Sequence, residues 1–225
     1  YENNLSVPAR HPDATVRQVK PLELIQVNGL YEQQTNCDEA DRVVDYLAEL
    51  WKQPYVLRPS VGVVTFNRKQ ADLILERLEL RAEEDEAFRD AYREELDRTD
   101  RGEDMAVFVK NVENVQGDER DTIVFSTTFG RNGQGTFRRL FGVLGQSGGE
   151  RRLNVAVTRA RHKVVLITSM PIREISDMLT AQRKPAIPRD YLQRYMEYAR
   201  AMSNGELPAG RALLGRMTSE QTDAK

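Results

Sequence analysis

Residues 150–168 constrain the fold more than any other stretch. They read Glu-Arg-Arg-Leu-Asn-Val-Ala-Val-Thr-Arg-Ala-Arg and then His-Lys-Val-Val-Leu-Ile-Thr, a helical pattern that runs directly into a short apolar strand. The run Lys163–Thr168 is bounded by polar residues and is apolar throughout, as in strands covered on both faces, and such strands belong to parallel sheets flanked by helices. In the preceding helix Leu153, Val155, Ala156, Val157 and Ala160 can supply the packed side, while Arg151, Arg152, Arg159 and Arg161 remain polar. Burying that many guanidinium groups without anions would be costly. The arginines therefore either face phosphates or lie on a solvated helix face with ordinary ion pairs.

The rest of the chain predicts the same strand and helix rhythm, and with it an α/β fold with a mostly parallel central sheet and helices on both faces. Leu24–Val27 reads as a first strand and Gly29 as a turn. Asn36 or Asp38 can cap a helix that runs to about Trp51 with Ala40, Val43, Val44, Leu47 and Leu50 on one face. Pro54 and Pro59 bracket a loop before a strand at Val61–Thr65, and Asn67 can cap a helix that turns Leu73, Ile74 and Leu78 inward. Residues 81–101 read as one amphipathic helix with Phe88, Tyr92 and Leu96 as its stripe. The glycines between Gly130 and Gly149 predict a long mobile loop. After Pro171 the pattern turns helical again, and the Tyr191, Tyr195 and Tyr198 stripe fits a core or interface better than a platform for bases. A frayed tail is expected from about Ser203.

Composition excludes several classes. No apolar run approaches the roughly 18 residues of a membrane span, and the start carries no secretory signal, so a cytoplasmic protein without membrane contact is expected. One cysteine, Cys37, rules out an internal disulfide framework, and with only two histidines no zinc or other metal cluster is expected. A net charge of −2 makes nucleic-acid binding through a global field unattractive, so any such contact must be local, through backbone amides and short polar side chains. The sequence contains no Gly-x-x-x-x-Gly-Lys-Ser/Thr phosphate loop and no Asp-Glu pair closing an apolar strand; the acidic run 83–86 sits in a charged helical stretch and reads as solvated.

A second block stands upstream of the arginines. Residues 108–126 form a strand, a polar turn with Val-Gln-Gly-Asp-Glu-Arg-Asp at 115–121, and another strand. Together with Arg-Arg-Leu-Asn-Val-Ala-Val-Thr-Arg-Ala-Arg at 151–161, this block resembles motifs V and VI of superfamily 1 helicases. The resemblance is to the 1B branch, which includes the nonsense-mediated decay helicase. Residues 61–70, Val-Gly-Val-Val-Thr-Phe-Asn-Arg-Lys-Gln, are similar to motif IV of the same branch.

The resemblance implies a RecA-like, P-loop-NTPase-like sandwich and a position as the second of two motor domains. On that reading residues 1–20 cross from the missing first domain, 21–170 form the second RecA-like domain, and 171–225 form a C-terminal helical extension and tail. The chain, which opens without Met, is then expected to be a fragment unable to hydrolyse ATP alone. ATP and Mg2+ would be held mainly by the first domain. Arg159 matches the arginine finger, with Arg161 in support, and Glu119 and Gly117 match the nucleotide contacts of motif V. Motif IV departs from the family pattern: Ala71 stands where some relatives have an arginine on the γ-phosphate, and Arg68 is the candidate substitute. Thr65, Asn111 and Asn114 are candidates for the backbone of single-stranded nucleic acid, with plain turn and cap roles as the alternative. Two other readings stay open: a translocase or remodeller coupled to a nuclease in repair or defence, which strand-displacement assays would separate, and a non-enzymatic RecA-like binding module, which loss of ATP-dependent activity in the intact protein would support.

Overall fold

The computed structural model describes residues 18–176, 186–210 and 212. Most of the expected crossing segment, and Met178, Leu179 and Pro185 of the C-terminal region, lie outside these residues.

Five strands make the main sheet: β1 Leu22–Gln26, β2 Val61–Thr65, β5 Phe108–Asn111, β6 Arg120–Ser126 and β7 Ala160–Thr168. Their order is β1-β7-β6-β2-β5, and every neighbouring pair is parallel. A small antiparallel ribbon, β3 Thr99–Asp100 and β4 Glu103–Asp104, stands apart. The helices are α1 Cys37–Trp51, α2 Arg68–Glu84, α3 Glu86–Leu96, α4 Gly149–Val157 and α5 Pro188–Ser203.

Alternation along the strands divides the core into two layers, because successive side chains point to opposite faces. Val61, Val63, Val124, Val165 and Ile167 pack against α1, α2 and α3. Val64, Ile123, Phe125, Val164 and Leu166 pack on the other side, where α4 and α5 contribute Leu153, Ala156, Leu192, Met196 and Ala199. The fold is the α/β, RecA-like sandwich expected, with helices on both faces.

Local signals explain the helix starts. Asn36 accepts the amide of Glu39 and begins α1; Asn67 accepts the amide of Gln70 and begins α2. Trp51 ends α1 by packing on Phe88 and Tyr92, with ring centroids 5.3 and 5.7 Å away.

Four expectations are corrected. Residues 81–101 are not one helix: α2 ends at Glu84, Asp85 accepts the Phe88 amide to begin α3, and the ribbon follows, leaving Leu96 exposed. The Gly130–Gly149 segment is anchored rather than loose, because Phe141 and Leu144 are buried in the core and Arg131 and Arg139 both bond Glu174. Apolar anchors outweigh the glycines between them. The tail does not fray at Ser203, whose hydroxyl accepts the Leu24 amide at 3.0 Å, and Leu207 beyond it is buried. Helix α4 stops at Val157 and β7 begins at Ala160, so Arg159 lies in the connection and Arg161 on the strand.

Candidate functional site

All five strands run the same way, so the sheet has an amino edge and a carboxyl edge with different chemistry. At the amino edge the register sets Arg120 opposite Ala160 and brings the end of the β5–β6 loop beside the α4–β7 connection. Glu119 there faces two arginines: Arg159 Nη1 lies 3.6 Å from Glu119 Oε1, and Arg161 Nε lies 3.7 Å from Oε2. Glu103, on β4, is 3.8 Å from Arg161 Nη2.

Arg159 is the better positioned of the two. Its Nε donates to Val155 O at 2.9 Å, a carbonyl in the last turn of α4, and its Nη2 donates to Thr158 Oγ1 at 3.2 Å. A guanidinium suits that end of a helix, where unpaired carbonyls carry partial negative charge. Two of its nitrogens are thereby held by its own connection, and Nη1 is directed at Glu119 beyond hydrogen-bond length.

Arg120, beneath the cluster, is structural, a role the sequence reading did not assign. Its guanidinium donates to Ala106 O at 2.9 and 2.7 Å and to Glu119 O at 2.8 Å, and it lies over the Phe108 ring. Burial draws its pKa below the usual arginine value. By holding the Glu119 carbonyl it fixes the backbone from which the Glu119 carboxylate projects. Gly117, in the same loop, has φ +93, and a Cβ there would meet nothing within 4 Å. The positive φ by itself calls for glycine at this turn.

Between this loop and α4 lies a cavity of about 310 Å³ lined by Val112, Glu113, Gln116, Arg151, Arg152 and Val155. It places the remaining arginines of the helix alongside the loop that carries Gly117 and Glu119.

The carboxyl edge gathers the other candidates. Thr65 and Asn111 end β2 and β5 as register partners. Thr65 is buried, its hydroxyl donating to Asn67 O. Asn111 is half-buried with its Oδ1 unpaired among the described residues, and Asn114 is exposed in the following turn, its amide on Asn111 O at 2.9 Å. Arg68, in the first turn of α2, belongs to this edge as well. It is exposed, 4.0 Å from Asp72, and the sheet separates it from Arg159 and Glu119. The structure thus brings Glu119, Arg159 and Arg161 together, places Gly117 in their loop, and sets Arg68 with Thr65, Asn111 and Asn114.

One further group bears on this edge. Glu39, in the first turn of α1, is wholly buried behind the carboxyl edge. Its Oε2 accepts from Ser126 Oγ at 2.7 Å and the Thr128 amide at 2.7 Å; its Oε1 accepts from the Ser169 amide at 2.6 Å and Thr127 Oγ1 at 3.3 Å. Burial pushes the carboxyl up to about 7, against the opposing pull of these donors. An acidic residue in the first turn of a capped helix reads as a solvated dipole partner, and no local pattern signals its burial.

Comparison with known proteins agrees with this architecture. An uncharacterized ATP-dependent helicase of Mycoplasma genitalium and its Mycoplasma pneumoniae homologue are each 32% identical to the chain over 180 residues, covering 80% of it and 15% of their own length. The chain thus spans only a small part of these curated relatives. A family model described as an AAA domain matches residues 7–171, a range that takes in all five strands of the sheet and the Glu119, Arg159 and Arg161 cluster at its amino edge, and the chain belongs to that AAA-domain family.

Proposed function

We propose that this chain is the second RecA-like motor domain of an ATP-dependent superfamily 1 helicase or translocase, of the 1B branch, and that Arg159 is its arginine finger. The observation that carries the reading is the state of the Arg159 side chain, held on two nitrogens by its own helix end and offering the third to a carboxylate that a phosphate can replace. The two relatives described as ATP-dependent helicases support it.

The bound nucleotide, with Mg2+, supplies the phosphoryl group that is transferred to water. The chain has no phosphate loop, so a first RecA-like domain of the same protein would hold the phosphates and the metal. From this side Arg159 places a forked cation against the charge that spreads over the transferring group, and Arg161 reinforces the local positive potential. Glu119 holds both arginines before nucleotide arrives and accepts a ribose hydroxyl afterwards. Asn111 and Asn114 face single-stranded nucleic acid at the carboxyl edge, with Thr65 buried behind them as a strand-end support, and Arg68, which the resemblance offered for the γ-phosphate, joins this edge because the sheet separates it from Arg159 and Glu119. The two ligands thus occupy opposite edges of one rigid sheet, which lets closure around one be felt at the other.

The test is the nucleic-acid-stimulated ATPase rate of the intact protein, wild type beside Arg159→Ala, with ATP binding measured in parallel. A fall of about a thousandfold or more at nearly unchanged ATP affinity is expected, in line with arginine fingers elsewhere. An unchanged rate overturns the assignment.

A further inference from the structure

The carboxyl edge contains a strained turn with one buried carboxylate beneath it. Thr128 has φ +68, a backbone conformation that a β-branched residue rarely adopts. The Phe129 amide donates back to Thr127 O at 2.7 Å and closes a tight turn around Thr128. Such a conformation is strained and persists only where its surroundings over-determine it. Glu39 supplies that constraint, binding the Thr128 amide on one oxygen and the Ser169 amide on the other.

The same network reaches the exposed edge. Ser126, which donates to Glu39, accepts from Gln70 Nε2 at 3.1 Å. Gln70 in turn accepts the Asn36 amide at 2.8 Å and donates to Asn36 O at 2.9 Å. Its own amide rests on Asn67, whose Nδ2 donates to Gln34 O at 3.0 Å. Glu39 thus joins the first turn of α1 to the ends of β6 and β7, and Gln70 extends the network to the first turn of α2. Close packing leaves little slack, since a Cβ on Gly130 would lie 2.9 Å from Gly29 O.

We propose that Glu39 is the positioning residue for the nucleic-acid-facing edge, fixing the 127–130 turn and, through Ser126 and Gln70, the Asn67–Arg68 segment that meets the strand. The inference rests on the reading of that edge as the nucleic-acid track. Glu39 is wholly buried, so it acts through these partners rather than at the surface. Both its oxygens accept backbone amides, and a glutamine of the same size would turn an NH2 group on one of those donors.

The experiment compares wild type, Glu39→Gln and Thr128→Gly in the intact protein. It reads the Kd for a fluorescein-labelled oligothymidylate, the KM for ATP and the unstimulated ATPase rate, with hydrogen exchange followed in peptides covering 126–131. Glu39→Gln is expected to speed exchange in the turn and weaken oligonucleotide binding by about tenfold, with KM for ATP and the unstimulated rate within about twofold. Thr128→Gly relieves the strain without threatening the fold, and is expected to weaken binding in the same direction but less. Faster exchange at unchanged oligonucleotide affinity in both variants overturns the proposal, as does a parallel loss of ATP and oligonucleotide binding, which marks a merely structural role. A wild type that hydrolyses ATP but binds no single strand overturns the reading of the edge itself.

Discussion

At the scale of single residues, the amino-edge cluster distributes two tasks over three side chains. Arg159 is tied to the α4 terminus and aimed outward, so its contribution should fall on the chemical step, whereas Glu119 is half exposed and bridges cations over distances above 3.5 Å. Exposed ion pairs of this kind contribute about 0–1 kcal/mol. Glu119→Gln should therefore leave the urea midpoint of the chain almost unchanged while raising the ATP KM of the intact protein several-fold. Arg159→Ala should instead lower kcat. A common loss of stability in both would show that the cluster serves the fold and not the nucleotide. Arg68 offers a separate test of the two-edge arrangement. Its loss should reduce the salt dependence of oligonucleotide binding by about one unit of slope and leave the ATP KM alone. A raised ATP KM in Arg68→Ala would return it to the nucleotide.

At the scale of elements, caps and packing explain both what was legible and what was not. Asn36 and Asn67 start their helices as their positions in the sequence suggest, and Val61–Thr65 and Phe108–Asn111 are strands as read. The break between α2 and α3 is hidden in the sequence because Asp85 lies inside a charged run that reads as continuous helix; its carboxylate accepts the Phe88 amide, which also holds its pKa below the usual range. In the Gly130–Gly149 segment the glycine spacing masks the apolar side chains Phe137, Phe141 and Leu144, which anchor it in the core. Asn67→Ala removes both the α2 cap and the bond to Gln34 O, and should cost about 1 kcal/mol in urea unfolding, with the loss confined to stability and oligonucleotide binding. No change in the midpoint would mean that the first turn of α2 is held by Gln70 alone.

At the scale of the whole molecule, Glu39 links stability to pH. Its folded pKa, about 7, lies above the value of an exposed glutamate, so the folded state binds the proton more tightly than the unfolded chain. The resulting contribution is complete below the unfolded pKa of about 4.3 and is lost as pH rises through about 7, so this group favours the fold at mildly acidic pH. Thermal unfolding from pH 5 to pH 8 should show a fall in midpoint attributable to Glu39, and Glu39→Gln, though less stable throughout, should flatten that part of the profile. An unchanged slope in the variant would assign the pH dependence elsewhere. Among the described residues no helix is long and apolar enough to cross a membrane.

Sequence alone determined the α/β class, the central strands and the capped starts of the first two helices, because each is written in local periodicity, caps and motif spacing that neighbouring residues share. Only the tertiary structure decided that Glu119, Arg159 and Arg161 meet at one edge while Arg68 lies at the other. The order β1-β7-β6-β2-β5 places β2 between β6 and β5, and strand order depends on long-range pairing that no local pattern encodes. It also decided that Glu39 is a buried clamp. A first-turn glutamate looks the same in sequence whether solvent or the ends of two strands surround it, and burial is a property of what packs against a residue rather than of the residue itself.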